Sequence, residues 1–257
     1  MIRIETVGGG VSDFLKSQEL RDLIGFLDYE RDPFFFDILH MGLTHCRNYA
    51  LFKSKYQTQF RGMAIMRRRE NRQKTETFVD LLYDTLIICE NQKLRDSLRR
   101  NENELFGLLR GAIFEGIAVK FIIERRFQEE YSWWGDNALL KKVDGEQIIY
   151  VYQKDGKLRK KENLDLAGWT DDLGGEFYEC KLSPHRFEDE HMNFLRTIYD
   201  YIRSKDKEIS KNTAIGGITL DTTEKLKSQI SPYNFKWFVP IGRDRIIELS
   251  KRKIMAF

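Results

Sequence analysis

The stretch ENLDLAGWTDDLGGEFYECKLSP, from Glu162 to Pro184, sets two short runs of alternating apolar residues on either side of a turn. In a strand, successive side chains face opposite ways. Leu164, Leu166 and Gly168 therefore share one face, and Asp165, Ala167 and Trp169 the other. In EFYECKL the two faces are Phe177, Glu179, Lys181 and Tyr178, Cys180, Leu182. Both faces are largely apolar, as in a sheet covered on both sides. Charge in such a sheet is costly unless it is paired or holds a metal. A half-exposed ion pair between Glu179 and Lys181 is one explanation; a functional site is the other.

Before this stretch, ALLKKV and QIIYVYQ flank Asp144-Gly145, and a second Asp-Gly pair follows at Asp155-Gly156. Such pairs favour tight hairpin turns, so the region reads as an antiparallel meander. After it, RFEDEHMNFLRTIYDYIRSK carries Phe187, His191, Phe194, Leu195, Ile198 and Ile202 on one helical face, which makes His191 a core residue by expectation. TAIGGITL, TTEKLKSQI and FKWFVPI continue as strand, short helix and strand.

Upstream the pattern is helical. Ser12 and Asp13 offer an N-cap to FLKSQELRDLIGFLDYE, in which Phe14, Leu15, Leu20, Leu23, Ile24 and Leu27 form a stripe that Pro33 interrupts. FFFDILHMGLTHCRNYALFKSKY and TETFVDLLYDTLIICENQKLRDSL share this periodicity, and NENELFGLLRGAIFEGIAVKFIIERRF reads as a long helix, either continuous or interrupted near Gly107 or Gly111. The expected organisation is a helical N-terminal region, residues 1–103, followed by an α/β domain, residues 104–257, with a mixed sheet flanked by helices.

At 257 residues, with 41% hydrophobic and 32% charged residues, the chain is of ordinary globular composition. Cys46, Cys89 and Cys180 are odd in number and widely spaced, which points to a reducing, cytoplasmic setting rather than a disulfide framework or zinc site. The start of the chain lacks a signal-peptide pattern, and no membrane partner is expected. The net charge of +3 identifies no partner, but its distribution is uneven. Arg61 to Lys74 holds six basic residues against one acid, Lys93 to Arg100 four against one, and Lys154 to Lys161 five against one. Each alone is a solvated face; together they make a polyanion a plausible partner, with Arg67, Arg68, Arg69, Lys160 and Lys161 the candidate nucleic-acid contacts.

A third acid bears on the strand charges. Gly111, Ala112, Ala118, Val119 and Ile122, one turn either side of Glu115, are small or apolar, so Glu115 is expected on the buried face of its helix, whereas Glu124 has polar neighbours in Lys120 and Gln128. A lone core acid satisfied by backbone or arginine would look the same. Taken as a set, the residues suit metal-assisted phosphodiester hydrolysis. Oxygen ligands from Asp165 and Glu179, with the Cys180 carbonyl, could hold Mg²⁺, or Mn²⁺. Lys181 could hold or help deprotonate a water and stabilise phosphate charge, and Glu115 could bind a second metal or orient a water.

These residues resemble the PD-(D/E)XK, or restriction-endonuclease-like, nuclease superfamily, whose pattern is an acid on one strand and (D/E)-x-K on the next. RGAIFEGIAVKFI, LDLAGW and EFYECKLSP are similar to its Mrr-like branch. The resemblance covers about Glu104 to Ile241 and lacks the proline before the first acid. It implies a helix motif of Gly111, Phe114 and Glu115, metal-binding acids Asp165 and Glu179, and a catalytic lysine, Lys181. It also implies a Mg²⁺-dependent endonuclease, most simply of double-stranded DNA, acting in restriction or phage defence as a homo-oligomer or beside a separate ATPase. The alternative is a non-catalytic nucleic-acid-binding or complex-assembly subunit that keeps the fold.

Other motifs carry less. His40 and His45, before Cys46, are five residues apart and should not share a helical face. His185 could approach the site, and Ser183 is either an auxiliary or a plain N-cap. Gly8 to Gly10 and Gly216-Gly217 lack the Gly-Lys-Ser/Thr ending of a phosphate loop. Trp133 and Trp134 could stack on bases but suit core caps at a helix-to-sheet junction.

Overall fold

Alternation in the chain's second half and helical periodicity in its first become, in the computed structural model, a mixed α/β architecture. The structure describes residues 2–6, 17–123, 133–142, 144–170 and 174–252, without the side chains of residues 70, 123, 133–136 and 250–252. It divides into two units: Gly9–Ile117 with Ile247–Phe257, and Met1–Gly8 with Ala118–Ile246.

The helical unit is punctuated as its capping residues dictate. Helix α1, Gln18–Glu30, starts behind Ser17, whose hydroxyl accepts the Leu20 N–H, and ends at Arg31 in the left-handed conformation. Helix α2, Pro33–His40, has Pro33 in its first turn behind Asp32, which accepts the Phe34 N–H. Helices α3 (Tyr49–Lys55), α4 (Arg61–Ile65), α5 (Arg69–Ile87), α6 (Gln92–Leu98) and α7 (Glu102–Ala118) follow. Fully buried Phe35, Phe36, Phe52, Phe60, Phe78 and Phe106 fill the interior. One alternative left open by the sequence is resolved here, and one expectation fails. Helix α7 runs through Gly107 and Gly111 unbroken, because each is tolerated in an otherwise continuous apolar pattern. His40 and His45 lie with ring centroids 5.0 Å apart, since Met41–His45 is a π-turn and its wider spacing aligns residues five apart.

The other unit is built on a six-stranded sheet in the order β1-β2-β5-β6-β7-β8. Its strands are β1 (Arg3–Thr6), β2 (Trp133–Lys141), β5 (Asn163–Thr170), β6 (Gly174–Lys181), β7 (Ala214–Thr219) and β8 (Phe238–Ile241). β1, β2, β5 and β6 pair antiparallel, and β7 and β8 continue parallel to β6. The crossover from β6 to β7 is made by helices α8 (Asp189–Lys205) and α9 (Lys207–Asn212); α10 (Thr223–Ile230) joins β7 to β8, and α11 (Arg243–Arg252) follows β8. Phe194, Leu195 and Ile198 of α8 join Ala167, Trp169 and Phe177 of the sheet in one core. The expected meander is only partly formed. β3 (Tyr150–Lys154) and β4 (Lys157–Lys161) make a separate hairpin, closed by Asp155 and Gly156 at positive φ, and among the described residues β2 meets the segment before β3 through a single bridge, Lys141 to Gln147. β2 instead pairs with β5 and with β1, a strand the sequence pattern did not reveal.

Candidate functional site

Ser12, Asp13, Phe14, Leu15, Glu124, Gln128, Asp171, Asp172 and the glycines Gly8 to Gly10 lie outside the described residues, as do the side chains of Trp133 and Trp134. The hairpin of β5 and β6 is described up to its turn. Its strands approach closely at Gly175, where a Cβ would lie 2.3 Å from the Gly168 carbonyl oxygen and 2.7 Å from the Trp169 ring. That approach accompanies the register pairing Trp169 with Gly175 and Leu166 with Tyr178. One step further along, the same register sets Asp165 opposite Glu179, and opposite residues share a face.

The three strand charges meet there. The Lys181 ammonium lies 3.1 Å from Asp165 Oδ2 and 2.8 Å from Glu179 Oε1, so both acids flank one cation. The Cys180 N–H donates to the same Asp165 oxygen at 2.6 Å. Glu179 is fully buried, whereas Asp165 and Lys181 keep about a fifth of their side-chain surface exposed. Two further groups complete the cluster. Lys161, at the end of β4, places its Nζ 2.8 Å from Glu179 Oε1 and 5.9 Å from the centre of the Phe194 ring. His191 of α8 turns Nε2 towards the same oxygen at 3.6 Å. Its Nδ1 accepts the Glu188 N–H, so the neutral ring carries its proton on Nε2, facing the acid.

Burial alone would raise the Glu179 pKa, but Lys181, Lys161 and His191 together outweigh it and hold the carboxyl at about 2. Burial opposes the charge of Lys181, yet Asp165 and Glu179 keep its ammonium well above the usual lysine range. With both acids beside it Lys181 is a cation, able to hold a water or a phosphate oxygen by donation. His191 is shifted down, chiefly by burial, with Lys181 and Lys161 adding to the shift against the pull of Glu179.

The remaining expectations sort by place. Glu115 lies on α7 in the helical unit and is half-buried, on a seam with Gly111 and Val119, while residues 112–114 and 116–118 are buried. The expected buried face is thus corrected: α7 is covered around most of its circumference, and Glu115 occupies the less covered line. Arg67 pairs with Asp32 at 2.9 Å and lies 4.1 Å from the centre of the Phe34 ring; Arg68 and Arg69, at the start of α5, are exposed. Lys160 is exposed on β4, and His185 is exposed on the turn after β6. Sequence reasoning missed His191 and the inward role of Lys161. One signal for His191 was available: it lies in the first turn of the helix that must start near the end of β6.

A resident Mg²⁺ fits the donor set in part. Glu179 Oε2 is buried and makes no hydrogen bond to the described residues, and it belongs to one of the two carboxylates that converge on the Lys181 ammonium. Among the described residues no group of three His, Cys, Asp or Glu side chains converges as a metal site. Two carboxylates suit Mg²⁺, which keeps several waters, better than zinc, which is held by three or four protein ligands drawn mainly from Cys and His.

No family model matches the chain, and no curated protein does. Solved structures that it resembles include two of known source. One is protein VC1899 from Vibrio cholerae, at 13% identity and TM-score 0.38 over 98% of this chain and 57% of that one. The other is Can2 from Sulfobacillus thermosulfidooxidans in complex with cyclic tetra-adenylate, at 11% identity and TM-score 0.39 over 95% of this chain and 57% of that one. The chain thus spans 57% of the length of either. Among the described residues no helix is long and apolar enough to cross a membrane.

Proposed function

We propose that the chain is a divalent-metal-dependent nuclease of the PD-(D/E)XK type, with DNA as substrate. The observation that carries this reading is the convergence of Asp165 and Glu179 on the one Lys181 ammonium, beside a buried carboxylate oxygen with no hydrogen-bond partner among the described residues. An ordinary strand ion pair of Glu179 and Lys181 gives no reason for Asp165 to share that lysine. Bound Mg²⁺, or Mn²⁺, would supply charge against the phosphate and acidify a water.

The chain's own groups have definite tasks. Asp165 and Glu179 provide the hard oxygen donors, and the Cys180 N–H fixes the Asp165 carboxylate in place. Lys181 holds a water or a non-bridging phosphate oxygen and offsets charge that grows during attack. His191, neutral, orients Glu179 from the helix side. One such site cuts one strand, so cutting a duplex through takes two copies. Restriction or phage defence, with a separate ATPase, is the role this reading suggests by analogy.

The second reading, a non-catalytic nucleic-acid-binding subunit, draws on Lys181 and Lys161 already neutralising both acids. Incubation of purified protein with plasmid and Mg²⁺ separates the two. Cleavage that EDTA abolishes, and that falls at least a hundredfold in both Asp165→Ala and Lys181→Ala, is expected. Binding of DNA without cleavage in Mg²⁺ or Mn²⁺ would instead establish the second reading.

A further inference from the structure

The β3–β4 hairpin forms a two-stranded sheet separate from the main one and is rich in cations. Its second strand, KLRKK, has four cations in five residues and no acid. Directly opposed residues of a hairpin share a face. Tyr150 with Lys161, Tyr152 with Arg159 and Lys154 with Lys157 therefore form one face, and Val151 with Lys160 and Gln153 with Leu158 the other. The hairpin is tied down at both ends. Lys154 lies 2.7 Å from Glu188 and 2.9 Å from Glu190 at the start of α8, and Lys161 lies 2.8 Å from the buried Glu179.

Between these anchors the cations are unspent. Lys157, Arg159 and Lys160 are exposed, and among the described residues Lys157 and Lys160 make no ion pair. Arg159 has only a 3.9 Å contact with the exposed Asp155. Leu158, 80% exposed, lies among them. Holding three exposed like charges within four residues, Lys157 to Lys160, costs self-repulsion, and being exposed they serve no core packing.

We propose that this hairpin is a substrate arm: Lys157, Arg159 and Lys160 contact the phosphate backbone of a nucleic acid, and Lys161 fixes the arm's inner end to Glu179 so that the bound backbone leads into the Asp165–Glu179–Lys181 site. The inference deepens the nuclease reading, since it names the element that seats the substrate. Charge complementarity selects the occupant, because a phosphate backbone pairs with closely spaced cations without needing an apolar pocket.

The test is binding of a short fluorescent DNA duplex to the full-length chain in EDTA, where nothing is cut, across a range of salt concentrations. The triple variant Lys157→Ala, Arg159→Ala, Lys160→Ala should bind roughly ten- to a hundredfold more weakly at low salt. Its log–log salt slope should be shallower by about two to three, near one for each phosphate that the variant leaves unneutralised. Its melting temperature should match the parent chain, because all three side chains are exposed. An unchanged dissociation constant and slope would overturn the arm, as would weakened binding to heparin with duplex binding intact. Cleavage is not a readout: a chain that binds through the arm and never cuts keeps this inference and loses the nuclease reading. One that cuts, with the triple variant binding normally, loses only the arm.

Discussion

Glu179 combines full burial with three basic neighbours, and the balance between them sets its acid sensitivity. A carboxyl titrates near 4.3 in an unfolded chain, and here it is held at about 2 against the effect of burial. The folded pKa is the lower one, so the stabilisation is complete above about pH 4.5 and is lost as pH falls towards 2. Its size is on the order of 2–3 kcal/mol. In EDTA, the parent chain should lose more stability between pH 4.5 and 2.5 than Glu179→Gln, measured by urea unfolding. Equal losses would show that the three bases do not act on Glu179. His191 adds a separate loss: its folded pKa lies below the free value, so protonation of the unfolded chain draws stability away as pH drops below about 6.5. Asp165, Glu179 and Lys181 were legible in the sequence because a period of two assigns faces without knowledge of the fold. Lys161 and His191 were not, because each reaches Glu179 from another element, and alternation carries no information about which element covers a face.

Hairpin geometry shows the same division. The β5–β6 pair could be read directly, since its apolar alternation and glycine-rich turn agree on one register. Gly175 is where that register is most demanding, because any side chain there meets the Gly168 carbonyl at 2.3 Å. Gly175→Ala should therefore destabilise the chain by about 1–3 kcal/mol, as overpacking does. If the strands part to admit the methyl group, metal-dependent activity should fall with stability, because Asp165 and Glu179 lie farther along the same ladder. A melting temperature within a degree of the parent would show that the close approach is relaxed in solution. The β2–β3 pairing was misread because an Asp-Gly turn specifies local reversal only: β2 makes its ladders with β1 and β5, and among the described residues one bridge, Lys141 to Gln147, joins it to the segment after Gly145. His40 and His45 were misread for a related reason, since the α-helical period fails wherever a π-turn intervenes.

On the scale of the whole chain, the sheet unit is discontinuous: β1 ends at Thr6, β2 begins at Trp133, and the helical unit is inserted between them. A four-residue strand has too short a pattern to be recognised, and its partner is more than a hundred residues away. Its contribution is nonetheless specific. Ile2 and Ile4 are buried, at 1% and 6% exposure, in the core shared with Ala138, Leu140 and Leu164, and Glu5 pairs with Lys141. Truncating one buried isoleucine costs about 2–5 kcal/mol. Losing the strand also bares the edge of β2 from Ala138 to Lys141, a surface on which another strand can pair. Deleting residues 2–6 should therefore lower the midpoint of thermal unfolding by at least several degrees and raise aggregation on heating. Ile4→Ala should give a smaller shift without aggregation, because the backbone pairing survives. Differential scanning calorimetry with light scattering measures both, and a deletion variant that melts like the parent chain would remove β1 from the sheet. If β1 behaves as described, a fragment starting at residue 104 lacks part of its own sheet. Cleavage or binding assays on such a fragment would then report a damaged unit, so the tests of Asp165, Lys181 and the hairpin arm belong on the full chain.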